Sequence, residues 1–184
     1  MISKNKLRQK FLSLRKKRYF DIRSNFFDPL LLFIKKKYKK KKIFLSIYYP
    51  SNFEVNIIKF FYSKNIDKIS TLLPVIFKNN KMKFFKWNNL DPLTVNRFGI
   101  LEPEKNIKDY IPDIILVPLL AYDEKKYRLG YGKGYYDRYM NKHLINNKKI
   151  LKIGIAFSFQ KHHNLPVTKF DVKLDHILSE NGLN

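Results

Sequence analysis

Two hydrophobic periods alternate along the first half of the chain. Leu7, Phe11, Leu14 and Ile22 keep roughly helical spacing with lysine and arginine on the other faces, and Ser3 stands where an N-cap belongs. A first helix is predicted there. Asp28-Pro29 supplies a cap and a first-turn proline for a second helix through "LLLFIKKK". The run "IFLSIYY" then reads as a strand ended by Pro50, and "VNIIKFFYSK" returns to a helical stripe of Ile57, Ile58, Phe61 and Tyr62.

Further on, "ISTLLPVIF", "MKFFKW", "DIILVPLL" and "ILKIGIAF" are short runs rich in branched or aromatic residues and bounded by Asn, Pro, Gly or Asp. They read as buried strands. Because helical patterns separate them, the expected architecture is α/β: a single-domain three-layer sandwich over 1–184, with a mostly parallel central sheet flanked by helices. Ligands are then expected beyond the carboxyl ends of the strands. The asparagine-rich patches near Asn79, Asn88 and Asn146 read as loops.

One window stands apart from this patterning. The chain has six glycines, and three of them, Gly130, Gly132 and Gly134, alternate within "YRLGYGKGYYDRYM". With "DIILVPLLAYD" as a candidate central strand and "YYDRYMNKHL" as a helix, the glycines fall at a strand-to-helix crossing, where backbone N–H groups can wrap an oxyanion. Lys133 and Arg128 add full charges, and Asp137 places a carboxylate where a magnesium ion bridging phosphates can find it. The spacing matches neither a Walker loop nor a dinucleotide fingerprint. Nor does "KGYYD" continue as an RNA-binding strand, since Tyr136 and Asp137 occupy positions that should be small and aromatic. The alternative is a tight turn with tyrosines packed into the core.

Composition changes the picture mainly by exclusion. At 184 residues and 45% hydrophobic, the chain can bury a core without metals or cross-links. With no cysteine, disulfides, thiolate nucleophiles and zinc-thiolate sites are excluded, which fits a cytoplasmic protein. The basic start lacks the apolar core of a signal peptide, and no run approaches a membrane span, so a soluble intracellular protein is expected. A net charge of +23 invites a nucleic-acid partner. Only seven of the 38 basic residues are arginine, however, and the abundance of Lys, Asn, Ile, Phe and Tyr is the bias of an AT-rich genome. The run Lys35 to Lys42 is read as a solvated helix end, with a polyanion patch as the other reading. His162, His163 and His176 lack partners at metal-ligand spacing, and Trp87 is expected to be packed.

The segment "RLGYGKGYYDR", together with "KNKLR", "YYPSNFEV", "FGILEP", "VPLLAYD" and "LPVTKFDVKLDHILSE" in that order, resembles the 5-formyltetrahydrofolate cyclo-ligase (5,10-methenyltetrahydrofolate synthetase) family. The resemblance implies a cytoplasmic, monomeric α/β enzyme that uses MgATP to close 5-formyltetrahydrofolate into the methenyl product, with Mg2+ as cofactor and ATP as substrate. Lys4, Asn5, Lys6, Leu7 and Arg8 would meet the ATP phosphates from one side. Arg128, Leu129, Gly130, Tyr131, Gly132, Lys133, Gly134, Tyr135 and Tyr136 would close the other, with Lys133 and Arg128 catalytic. Tyr49 and Glu54 match substrate positions, and Asp137 and Asp171 match metal positions, with Asp175 a competing candidate. Carboxylates at such positions argue against a nucleic-acid backbone as partner. The lysine run has no counterpart in the family's catalytic pattern.

Overall fold

The computed structural model describes residues 3–39, 41–64, 66–104, 108–145 and 149–184. The loop expected at Asn146 and Lys40 of the lysine run lie outside the described residues. Helix α1 (Lys4–Arg18) begins at Ser3, whose hydroxyl accepts from the Lys6 N–H. It buries Leu7 and Phe11 but ends before Ile22, which joins a different part of the core. Helix α2 (Asp28–Tyr38) follows a short 3-10 turn, and Asp28 lies inside its first turn beside Pro29 without capping through its side chain.

Strand β1 (Ile43–Ser46) is followed by a 3-10 segment, Ile57–Tyr62, where an α-helical stripe was expected. The physical reason is its burial pattern: Ile57 and Phe60 are fully buried, three residues apart, whereas Tyr62 is exposed. Three-residue periodicity suits the tighter helix. Then come β2 (Ile69–Ile76), β3 (Met82–Lys86), the hairpin of β4 (Leu93–Val95) with β5 (Leu101–Pro103), and β6 (Ile114–Pro118). The expected strand "DIILVPLLAYD" is two elements. Pro118 brings no N–H to a ladder, and the chain leaves the sheet there. The carbonyls of Leu119 and Leu120 accept from Gln160 Nε2 instead, at 3.0 and 2.9 Å.

Residues after the break form β7 (Ala121–Tyr122), which pairs in a small hairpin with β8 (Arg128–Leu129). The glycine loop therefore joins this hairpin, not a central strand, to helix α3 (Tyr135–Ile145). Strands β9 (Leu151–Ile155), β10 (His176–Ser179) and β11 (Gly182–Leu183) complete the chain.

The main sheet has seven strands in the order β11-β10-β9-β6-β1-β2-β3. Its inner five run parallel, and the two edge strands are antiparallel. Alternation along β6 shows the two covered faces: Ile114 and Leu116 pack into the cluster holding Leu30 and Ile34 of α2, while Ile115 and Val117 pack with Tyr139 and Met140 of α3. Helix α1 closes one end of the sheet, packing Leu7 and Phe11 on Leu120, Ala121, Leu129 and Leu165. From β1 the chain winds outward to β2 and then crosses back to β6 on the other side. That reversal is a topological switch point, and ligands of open α/β sheets bind beyond the strand ends there.

Candidate active site at the switch point

Beyond the carboxyl ends of β1 and β6 lies a cavity of about 410 Å³, a size suited to small-molecule ligands. Its walls bring together five stretches that are far apart in the sequence: the start of α1, the loop after β1, the β4–β5 hairpin, the glycine loop and Asp171. Lys4, Arg8, Tyr49, Glu54, Arg128 to Asp137 and Asp171 all reach it, whereas Asn5 and Lys6 are exposed and Leu7 is buried in the packing of α1. Asp175 stands outside, its carboxylate taken by Lys152 Nζ at 3.0 Å and by the Lys152 N–H at 2.7 Å.

The glycine loop owes its shape to arginines. Gly132 has φ +96°, a conformation side chains rarely adopt, and a Cβ there would come within 3.0 to 3.3 Å of the Arg8 guanidinium. A Cβ on Gly130 would lie 2.6 Å from Arg128 Nη1. Bare backbone lets these guanidinium groups lie across the loop, and Arg8 Nε donates to the Gly130 carbonyl at 2.9 Å. Its Nη1 is steadied by Asn5 Oδ1 at 2.6 Å. Lys133 is exposed, and its ammonium lies 5.9 Å from the Phe98 ring centroid on the β4–β5 hairpin.

That hairpin is pinned by Glu102, whose buried carboxylate accepts from the Ile76 N–H at 2.9 Å and from Asn96 Nδ2 at 2.6 Å.

Two carboxylates expected at a metal are paired with cations. Arg128 Nη2 lies 2.8 Å from Asp137 Oδ2, while Asp137 Oδ1 accepts from the Val172 N–H at 3.3 Å. Arg128 Nε is buried and has no hydrogen-bond partner among the described residues. Lys4 Nζ meets Asp171 Oδ2 at 2.6 Å, and Thr168 gives the same oxygen both its N–H and its hydroxyl. Burial tends to raise the Asp171 pKa, but these hydrogen bonds outweigh it and hold the carboxyl below its ordinary range. No cluster of three His, Asp or Glu side chains able to hold a metal occurs among the described residues. Two carboxylates in one cavity wall fit Mg2+ that keeps its waters and arrives on phosphates, rather than an ion in a protein cage.

Glu54, also in the lining, is buried and accepts from the Ser51 N–H at 2.9 Å and from the Tyr131 hydroxyl at 2.7 Å. Burial pushes its pKa up, opposed by Arg15 and by these hydrogen bonds. The Tyr131 phenol is itself held well above its ordinary value by burial and by Glu54, so it remains a proton donor. Tyr49 lines the cavity with its ring against Trp87, which is packed in the core as expected, its Nε1 donating to the Asp91 carbonyl at 3.1 Å.

Sequence reading missed Arg15, Tyr48, Phe98 and Glu102. Arg15 left a trace: it stands four residues after Phe11, which stands four after Leu7, so it continues the buried stripe on which Leu14 was placed.

The sequence model of the 5-formyltetrahydrofolate cyclo-ligase family matches residues 2–180. A 5-formyltetrahydrofolate cyclo-ligase of Haemophilus influenzae is 41% identical over 91 residues, 47% of this chain and 48% of that protein. One of Mycoplasma genitalium is 38% identical over 90 residues, 47% of this chain and 52% of that protein. In these pairings the chain spans about half the length of the curated relatives. The structural likeness is longer. The Aquifex aeolicus 5,10-methenyltetrahydrofolate synthetase structure, 30% identical, superimposes with a TM-score of 0.73 over 99% of this chain and 92% of that one. A 5,10-methenyltetrahydrofolate synthetase from Mycoplasma pneumoniae, 28% identical, gives 0.71 over 96% and 98%. With the motif residues gathered at one switch-point cavity and the match running over nearly the whole sequence, the chain belongs to the 5-formyltetrahydrofolate cyclo-ligase family.

Proposed function

We propose that the chain catalyses the ATP- and Mg2+-dependent closure of 5-formyltetrahydrofolate to 5,10-methenyltetrahydrofolate, releasing ADP and phosphate. The observation that carries this is the two-sided cavity. A carboxylate and an aromatic face, Glu54 and Tyr49, line one wall, and a glycine loop crossed by Arg8 and Arg128 and carrying Lys133 lines the other. The first pair suits the donor edge and flat ring of a pterin; the second suits a triphosphate.

The chemistry needs this juxtaposition. A formamide oxygen is a poor leaving group, so it attacks the γ-phosphorus of ATP; the new O–P bond forms as the bond to the β-phosphate oxygen breaks and ADP departs. The N-10 nitrogen then attacks the formyl carbon, the C–O bond breaks with release of phosphate, and the N-10 proton passes to solvent. No carbon changes oxidation state. Lys133 and Arg128 neutralise the transferred phosphoryl oxygens, Lys4 and Arg8 hold the nucleotide from the other side, and Glu54 orients the pterin so that the formyl oxygen faces the loop. Asp137 and Asp171 would hold Mg2+, which would supply charge neutralisation for the transfer.

The test is incubation with 5-formyltetrahydrofolate and MgATP, following the longer-wavelength absorbance of the methenyl product together with ADP. Equimolar appearance of both is expected. ATP hydrolysis without the absorbance change would refute the folate reaction while leaving the nucleotide site standing.

A further inference from the structure

Arg15 is a charged side chain in a place built for leucine. It is fully buried, among the largest fully buried side chains, and the others in that group are apolar. Its guanidinium reaches three separate elements. Nε and Nη2 fork onto the Asn52 carbonyl at 2.9 and 2.6 Å, Nη1 donates to the Leu119 carbonyl at 3.2 Å at the end of β6, and Nη2 also donates to the Tyr131 hydroxyl in the glycine loop. Asn52 and Phe53 both have positive φ, 47° and 61°, so the fork grips a left-handed turn that sets where the next residue, Glu54, points. The Tyr131 hydroxyl completes the chain by donating to Glu54.

We propose that Arg15 is a positioning residue of the site, holding Tyr131 against Glu54 and so fixing the glycine loop and the loop after β1 in one geometry. This rests on reading Glu54 as the carboxylate that receives the folate. Closing two backbone carbonyls needs only neutral donors; the contact to Tyr131 goes beyond that. It joins the two substrate walls through one buried cation, so the binding of each substrate depends on Arg15 although Arg15 touches neither. Glu54 is faced by Arg15 from α1, Tyr48 from the end of β1, Tyr131 from the loop and Tyr136 at the start of α3. Arg15 is the cation among them, and it favours the ionised carboxylate.

The test uses the full chain with 13C-labelled glutamate carboxyls. The sequence holds five glutamates, so Glu54 is assigned by the resonance lost in Glu54→Gln. Arg15→Gln keeps an amide donor near the position of Nε, on the Asn52 side, and removes the charge. The expected result is a Glu54 titration midpoint raised by roughly half a pH unit or more. The acidic limb of kcat/KM for 5-formyltetrahydrofolate moves the same way, and KM for both substrates rises about tenfold. Arg15→Lys, which retains the charge and loses the fork, keeps the midpoint near wild type while raising both KM values. A folded Arg15→Gln with unchanged midpoint and KM values, or one losing only kcat, overturns the proposal in favour of a purely structural role. If Arg15→Gln does not fold, Tyr131→Phe decides: it leaves every backbone contact of Arg15 intact and must raise the Glu54 midpoint and both KM values, or the proposal fails. A wild-type protein with no turnover defeats the proposed reaction instead, and the carboxyl titration still decides the role of Arg15.

Discussion

Gly132→Ala tests the loop with a single carbon atom. At φ +96° any side chain is strained, and such a backbone costs on the order of 1–3 kcal/mol for a residue with a Cβ. The added methyl also lands 3.0 Å from Arg8 Cζ and 3.1 Å from its Nη2. A guanidinium on a flexible side chain can swing aside, so the overlap itself is cheap. Swinging aside breaks the bond from Arg8 Nε to the Gly130 carbonyl, however, and a charged hydrogen bond contributes about 1.5–3 kcal/mol, taken at the low end because Arg8 is only half-buried. Combining the low ends of both ranges gives about 2.5 kcal/mol, or roughly 70-fold in affinity. The assay is calorimetric titration with a non-hydrolysable ATP analogue and Mg2+, with the melting temperature measured alongside. Gly182→Ala is the control: its φ is +101°, but nothing lies within 4 Å of the added carbon and it sits in the β10–β11 hairpin. That variant should lose stability and keep nucleotide affinity. If Gly132→Ala binds the analogue within threefold of wild type, the loop does not need bare backbone to hold phosphate.

Lys133→Met should leave the melting temperature unchanged, because the side chain is exposed, while turnover at saturating MgATP falls about 100-fold or more; near-normal kcat would remove Lys133 from the phosphoryl transfer. Magnesium titrations of initial rate should show a large rise in the midpoint for Asp137→Asn, a smaller one for Asp171→Asn and none for Asp175→Asn, whose carboxylate is tied to Lys152 outside the cavity; a shift in Asp175→Asn exceeding that in Asp171→Asn would reverse the assignment. Glu54→Gln should stabilise the fold and abolish most activity. Because the Glu54 pKa is raised in the folded state, the stability gained on neutralising it is absent below the ordinary glutamate value near 4.3, grows as pH rises through the folded value, and is constant above it. Melting curves of both proteins across that pH range check the sign, and a gap that widens toward acid would contradict it.

Much of the architecture was legible because burial on a sheet or helix leaves a period. The strands at "ISTLLPVIF", "MKFFKW" and "ILKIGIAF" contain β2, β3 and β9, and both N-terminal helices form near the expected starts, Ser3 capping the first while Asp28 falls inside the first turn of the second. The failures have physical causes of the same kind. Pro118 ends the ladder of β6 inside an unbroken apolar run: the Leu119 and Leu120 carbonyls turn to Gln160, and Leu120 packs against α1 while Leu119 stays with Ile115 and Val117. Periodicity reports burial, not the partner. At the site, the alternating glycines announced a need for bare backbone, but what occupies the space is arginine: Arg128 of the same loop over Gly130 and Arg8 of the distant first helix over Gly132. Only the fold brings Arg8 to the loop. Arg15 was hidden for the opposite reason: a charged residue on an apolar stripe looks like surface until its carbonyl partners, Asn52 and Leu119, are known.

The abundance of lysine bears little on the chemistry, and geometry shows why. Lys39, Lys41 and Lys42 are exposed and precede the amino end of β1, while the cavity lies past its carboxyl end. Four residues of strand span about 13 Å, beyond the ~8 Å over which physiological salt screens exposed charges. The cations that matter are few, and three of them already have partners: Asp171 for Lys4, Asp137 for Arg128, a backbone carbonyl for Arg8. Pairing keeps the partly buried charges compensated before any ligand arrives. On the proposed reading, phosphate oxygens take over Lys4 and Arg128, and the released carboxylates then face the nucleotide, where a hard divalent ion seeks oxygen. Metal affinity would thus depend on nucleotide, in contrast to a resident ion held in a protein cage. Magnesium binding measured with and without the ATP analogue distinguishes the two cases: tight binding to the protein alone would show that the carboxylates are not waiting on phosphate.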